Sequence, residues 1–183
     1  MIFNLQLESN VYKIGRQSNE KPIKNIIDNK PNNFDGIATK KRYKLYVIIG
    51  AKIFYVGIAK VPISARFHYG VSCRKSMGKG YHGYKWLDEL NNGKKLDLFI
   101  FGFKGLQCNT DFTKNNTYQK GKQDPQKIVA ETIEAELVYI IRKNTNEWCK
   151  YQNEIHFHNL GEQPKNTAKE IYKNLRKHIS YLR

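Results

Sequence analysis

Three kinds of side chain in this sequence could act together on a phosphate ester: two phenols, a guanidinium and a helical carboxylate. Tyr46 and Tyr55 stand in the stretch KLYVIIGAKIFYVGIAKVPISAR, from Lys44 to Arg66. This is the densest run of β-branched and aromatic residues in the chain, and Gly50-Ala51 splits it. Leu45 to Ile49 and Ile53 to Ile58 read as two strands. Gly50-Ala51 suits a two-residue type II′ loop, with Gly at the position that needs positive φ. That loop predicts Tyr46 opposite Tyr55, with Lys44 and Gly57 paired just beyond. Directly opposed residues share a face of the sheet, so the two phenols are expected side by side. Pro62 then opens a helix that carries Arg66 in its first turns. A guanidinium offers a planar fork to phosphate oxygens. A phenol is a poor base at neutral pH, with a pKa of about 10, unless nearby cations favour its ionised form.

The carboxylates are on a second predicted helix. Asp124-Pro125 is a helix start, the Asp capping and the Pro fitting the first turn. Val129, Ile133, Leu137, Ile140 and Ile141 recur at helical spacing and mark its buried face. Glu131 projects away from that stripe toward solvent. Glu134 and Glu136 flank it on opposite sides, and periodicity does not choose between them. A helix-edge salt bridge is the commoner fate of such a glutamate. Beyond the helix, His156 and His158 share a face of an extended segment near Glu154. No third ligand has the spacing of a metal site, so a packed or surface pair is expected.

Taken together, the tyrosine hairpin, Tyr55-Val56-Gly57 and an arginine on the following helix resemble the GIY-YIG nucleases. Tyr46 stands at the first motif's tyrosine, with Lys44-Leu45 in place of Gly-Ile. The resemblance spans Tyr43 to Asn153. It implies that Tyr46 is a general base, that Tyr55 orients the water or donates to the phosphate, and that Arg66 binds the phosphate. It selects Glu134, followed by Leu137-Val138, as the ligand of Mg²⁺ or another divalent cation such as Mn²⁺, with Glu136 as the fallback. It also places Asn153 near the site, ahead of Asn159. Family members often carry a His or Tyr one helical turn after the arginine. Here that position is Gly70, and His68 or Tyr69 could serve only if the helix ends early.

Composition points the same way more broadly. Lys and Arg number 32 against 16 Asp and Glu, a formal net charge of +16. Such an excess attracts polyanions, a nucleic-acid backbone first among them. Lys44, Lys60, Arg74, Lys75 and Lys79 are the candidate backbone contacts. The stretch CRKSMGKGYHG reads as a basic, glycine-rich loop and lacks the spacing of a phosphate-cradling P-loop. No apolar run approaches the roughly 18 residues of a membrane span. Cys73, Cys108 and Cys149 are odd in number and widely spaced, which argues for a reducing compartment and against a zinc ribbon.

The elements that must position these groups follow. Residues 1–42 read as an N-terminal arm, with an edge-strand alternation at its start. Polar loop and one short helical turn near Ile23 to Ile27 fill the remainder. Residues 43–160 form the core, whose central third strand is Leu96 to Phe103, with a long insertion at 104–123. Residues 161–183 carry a last helix packed on the same domain, starting at a Thr167 capping box. The expected fold is α+β, a small three-stranded antiparallel sheet flanked by helices. The expected function is Mg²⁺-dependent cleavage of double-stranded DNA at a short sequence by a cytoplasmic homodimer of type II restriction character. A non-catalytic nucleic-acid-binding protein and a structure-selective repair nuclease are the rivals.

Overall fold

The computed structural model describes residues 6–18, 21–77, 84–104, 124–152 and 155–179. It divides the chain into two compact units. One comprises residues 8–102 and 149–153, the other residues 1–7, 103–148 and 154–183.

The first unit is built on a sheet of six strands rather than the expected three. These are β1 (Gln6–Gly15), β2 (Lys24–Ile27), β3 (Lys30–Asn32), β4 (Lys44–Ile49), β5 (Ile53–Ala59) and β6 (Leu96–Lys104), in the order β3-β2-β1-β6-β4-β5. β1 pairs antiparallel with β2, β2 with β3, and β4 with both β5 and β6. The extra half of the sheet comes from the segment expected to be an arm. β1 lies beside β6, so β6 is an interior strand. β2 and β3 form a hairpin whose two turn residues, Asp28 and Asn29, both take positive φ (49° and 62°). A two-residue turn with positive φ at both positions matches the right-handed twist of its strands, and Asp and Asn tolerate it. The expected helical turn at Ile23 to Ile27 is therefore a strand.

The β4–β5 hairpin differs from expectation in register. Tyr46 faces Gly57 and Ile48 faces Tyr55, with an irregularity between Ile48 and Ile49. The loop is thus longer than two residues and shifts the pairing by two. Because side chains alternate with period two, a two-residue shift leaves every residue on its original face. Tyr46 and Tyr55 are diagonal neighbours rather than directly opposed.

One sheet face packs Tyr46, Ile48, Leu98, Ile100 and Ile14 into a core with Ile63, Phe67, Trp86 and Leu90. These come from α2 (Ile63–Met77), α3 (Leu87–Asn91) and the residues just before it, with Ile37 and Ala38 added by α1 (Gly36–Thr39). Helix α2 runs four residues further than the start of the expected glycine-rich loop, so Cys73 to Met77 are helical. The outer edge of β5 is covered by residues 150–152. The amides of Lys150 and Tyr151 donate to the carbonyls of Ile53 (3.1 Å) and Phe54 (2.7 Å), and Val56 N–H donates to Gln152 Oε1 (3.0 Å). Pairing an edge in this way removes a template for aggregation. Glu89 on α3 anchors that segment, accepting from Lys150 Nζ and Tyr151 Oη at 2.8 Å each and from Lys94 Nζ at 2.7 Å.

The second unit holds a helix pair, α4 (Pro125–Thr145) and α5 (Glu162–His178). Asp124 caps α4 as expected, accepting from Gln126 N–H at 3.1 Å. Ile133, Leu137 and Ile141 are buried, whereas Val129 and Ile140 are half-buried. Helix α5 starts five residues before the expected capping box. Thr167 therefore lies within it, donating to the Gln163 carbonyl at 3.1 Å. Among the described residues, no helix is long and apolar enough to cross a membrane.

Candidate functional site

The hairpin register brings the two phenols together. The Tyr46 and Tyr55 ring centroids are 5.9 Å apart on one face of the sheet. Gly57 makes this possible. A Cβ there would lie 2.6 Å from the Tyr55 ring and 2.7 Å from Tyr46 Cζ and Oη, so only a glycine lets the Tyr46 ring lie across the neighbouring strand. From above, α2 contributes Phe67, edge-on to Tyr46 at 5.8 Å, and Arg66 beside it. Pro62 starts that helix as expected, its carbonyl accepting from Arg66 N–H at 3.0 Å.

Arg66 belongs to the phenol cluster electrostatically. Burial works against its charge, but the phenols of Tyr46, Tyr84 and Tyr55 beside it hold the guanidinium above its ordinary range. Its Nε is buried and has no acceptor among the described residues. An unmet buried donor costs on the order of 1–3 kcal/mol, and Arg42 Nε and Trp86 Nε1 are in the same position among the described residues. Tyr46 is wholly buried, whereas Tyr55 and Arg66 are half-buried. The solvent-facing members of the cluster are therefore Tyr55 and Arg66, with Tyr46 behind them.

Tyr84 is the member that sequence reasoning missed. Its ring lies over Gly70, one helical turn after Arg66, where a Cβ would be 2.1 Å from Tyr84 Cε1 and Cζ. Its hydroxyl donates to the Arg66 carbonyl at 3.2 Å, and the Arg66 guanidinium carbon is 5.9 Å from its ring centroid. The absence of a side chain at position 70 is thus filled by a phenol from another element. Burial pushes the Tyr84 hydroxyl far above its ordinary range, and the neighbouring Tyr46 adds to this while Arg66 opposes it. No spacing rule links Gly70 to a tyrosine fourteen positions on, beyond the end of α2; the pairing exists only in three dimensions.

Other expected members are elsewhere. His68 is two residues beyond Arg66, roughly 200° around the helix. It is exposed and lines a different cleft, and Tyr69 is exposed as well. Lys44 is corrected outright. It is fully buried, and its ammonium donates to the carbonyls of Lys40 (2.7 Å), Arg42 (2.9 Å) and Val61 (2.9 Å). All three donors are used, so none remains for a phosphate. Burial, reinforced by Arg42, pushes its pKa down to about 8. Lys60 stays exposed, its ammonium 5.2 Å from the Tyr43 ring centroid. The side chains of Arg74 and Lys75, and Lys79 and Asn153 altogether, lie outside the described residues.

No protein-family model, curated protein or solved structure matches the chain.

In the second unit, Glu134 and Glu136 are both half-buried on α4. Glu131, expected in solvent, is buried instead. It pairs with Lys127 at 3.1 Å and with His158 at 3.2 Å, which recruits that histidine as a packing partner. Among the described residues, no group of three or more His, Cys, Asp or Glu side chains could hold a metal ion. A lone carboxylate such as Glu134 is still a suitable oxygen donor for Mg²⁺, which characteristically keeps waters and shares substrate phosphates instead of filling an all-protein cage.

Proposed function

We propose that this chain is an endonuclease that hydrolyses phosphodiester bonds in double-stranded DNA with Mg²⁺ or a similar divalent cation. In this reading it is a type II restriction enzyme acting inside the cell, as a homodimer on a short two-fold-symmetric sequence. The observation that carries the reading is the half-buried Arg66 held among Tyr46, Tyr55 and Tyr84. Phosphodiester hydrolysis needs an activated water, charge neutralisation on the phosphate and help for the leaving oxygen.

Arg66 supplies the fork for the phosphate oxygens, backed by phenols that keep it oriented. Coulombic attraction is mutual: a permanent guanidinium charge favours a phenolate beside it. Tyr55, at the solvent-facing edge, meets the attacking water. Tyr46, buried behind it with its ring 5.9 Å from that of Tyr55, stabilises the proton-accepting state. This shifts the contact with water from Tyr46, expected as the direct base, to Tyr55. Glu134, in the second unit, would be the carboxylate ligand of the cation, whose chemistry is Lewis-acid polarisation and a more acidic bound water.

Tyr55→Phe and Tyr46→Phe separate these roles. Single-turnover cleavage of plasmid against pH should lose its alkaline rise in both variants, with the larger loss of water activation in Tyr55→Phe. Unchanged pH profiles in both would remove the phenols from the chemistry. A purely DNA-binding role would instead leave every variant with the same salt-dependent affinity and no cleavage to lose.

A further inference from the structure

The same helix that carries Arg66 toward the phenols turns a second stripe, Ser64, His68, Val71 and Ser72, toward a different space. That space is an open cleft of about 460 Å³ within the first unit, bounded on its far side by residues 21–24 and 33–34. Its volume falls in the range of small-ligand sites, about 300–1,000 Å³.

The lining is divided by chemistry. Ile23, Phe34, Phe67 and Val71 give an apolar floor, while Arg16, Lys21, Lys24 and His68 form the rim. Among the described residues no carboxylate lines it. Two of the cations are fixed in place. Arg16 donates from Nε to the Lys21 carbonyl at 2.5 Å and from Nη1 to Asn91 Oδ1 at 3.0 Å. Lys24 Nζ donates to Asn33 Oδ1 at 2.7 Å. That partner is a neutral amide, which positions the ammonium without cancelling its charge. Such a cavity fits a ligand with one flat apolar end and one anionic end. Cations over an aromatic floor are the pattern by which proteins hold a nucleobase and its phosphate. The position is also informative. Phe67 forms part of the floor, and its ring meets Tyr46 at 5.8 Å, so an occupant lies one aromatic ring away from the phenol cluster.

We propose that this cleft is a nucleotide-binding subsite, which takes one nucleotide of the DNA strand with its base among Ile23, Phe34 and Val71 and its phosphate at Lys21 and Lys24. The proposal rests on the nuclease reading only for the polymer that supplies the nucleotide. A base that enters the cleft leaves its stack, at a cost of a few kcal/mol that the cations and the apolar floor must offset.

The test uses the full chain with Ca²⁺ in place of Mg²⁺ and duplexes carrying 2-aminopurine at successive positions, whose fluorescence rises when that base unstacks. Deoxyadenosine monophosphate and inorganic phosphate serve as competitors. The expected result is a rise confined to one position, competed by the nucleotide at least ten-fold better than by phosphate. Ser64→Trp, placed at an exposed position to fill the cleft, should weaken nucleotide binding at least ten-fold. Lys24→Gln should do so with a smaller change in shape, and each variant is checked for an unchanged melting temperature. A rise at no position, equal competition by phosphate, or wild-type nucleotide binding in both variants would overturn the subsite. Arg66→Ala keeps the two readings apart. Loss of cleavage in Arg66→Ala with normal nucleotide binding in Ser64→Trp sinks the subsite alone. Normal cleavage in Arg66→Ala with lost nucleotide binding in Ser64→Trp sinks the nuclease site alone.

Discussion

Gly70→Ala should destabilise this protein even though alanine is the better helix former. A Cβ at position 70 would lie 2.1 Å from two atoms of the Tyr84 ring and 2.6 Å from a third. Carbon atoms rest at about 3.5–4.0 Å, so the ring must retreat by roughly 1.4 Å or more. Overpacking by one methyl costs about 1–3 kcal/mol. The hydrogen bond from Tyr84 to the Arg66 carbonyl, 3.2 Å long, would be lost as well, at a net ~0.5–1.5 kcal/mol. Against this, replacing glycine in a helix gains up to about 1 kcal/mol. The sum is a net loss of about 1–3 kcal/mol. In a Tyr84→Val background the ring is gone, the clash and the hydrogen bond vanish, and only the helix gain remains. Gly70→Ala should then stabilise by up to about 1 kcal/mol. Urea unfolding of the four proteins of this cycle measures the coupling, expected at about 2–4 kcal/mol. A coupling near zero, or a stabilising Gly70→Ala in the parent, would refute the placement of Tyr84 over Gly70 and with it the fourth member of the cluster.

Three further outcomes follow from the geometry. Lys44→Met should cost about 2–4 kcal/mol, because it leaves three buried carbonyls without their donor, yet leave the slope of log affinity for DNA against log salt unchanged. Glu89, whose hydrogen bonds from Lys150, Lys94 and Tyr151 lower its pKa from 4.5 to about 2, contributes stability that is complete above pH 4.5 and fades as pH falls toward 2. Denaturant titrations across that window should show a flatter pH dependence for Glu89→Gln, and parallel curves would contradict the linkage. Lys44 has the opposite sign. Its folded pKa of about 8 lies below its unfolded value, so its contribution should grow as pH rises from 8 toward 10.5, and Lys44→Met should lose that rise.

How much of this was legible in the sequence depended on whether the deciding interaction was local. The shared face of Tyr46 and Tyr55 was readable because face depends only on parity, which the two-residue shift of the hairpin preserved. The Asp124 cap and the Pro62 helix start were readable for the same reason, since each is decided within one turn. The β2–β3 hairpin was hidden because its turn has no glycine and relies on Asp28 and Asn29 at positive φ. With that signal hidden, three strands were read as an arm. Glu131 looked solvated because periodicity cannot see His158, which covers it from across 27 positions of chain. Lys44 looked available for phosphate because nothing local announces that Lys40, Arg42 and Val61 turn their carbonyls toward it. Tyr84 was invisible because the space it fills is defined by an absence at Gly70.

As proposed above, the Tyr46, Tyr55 and Arg66 cluster hydrolyses a phosphodiester. The direct measurement is cleavage of supercoiled plasmid with Mg²⁺ by the parent chain and by Tyr46→Phe, Tyr55→Phe and Arg66→Ala, each shown to be folded by its melting temperature. Discrete fragments are expected from the parent, with a rate loss of about 10²–10³ or more in the variants, the scale of losing one base or one charge-stabilising donor. A parent that cuts nothing, or variants that cut at the parent's rate, would contradict it.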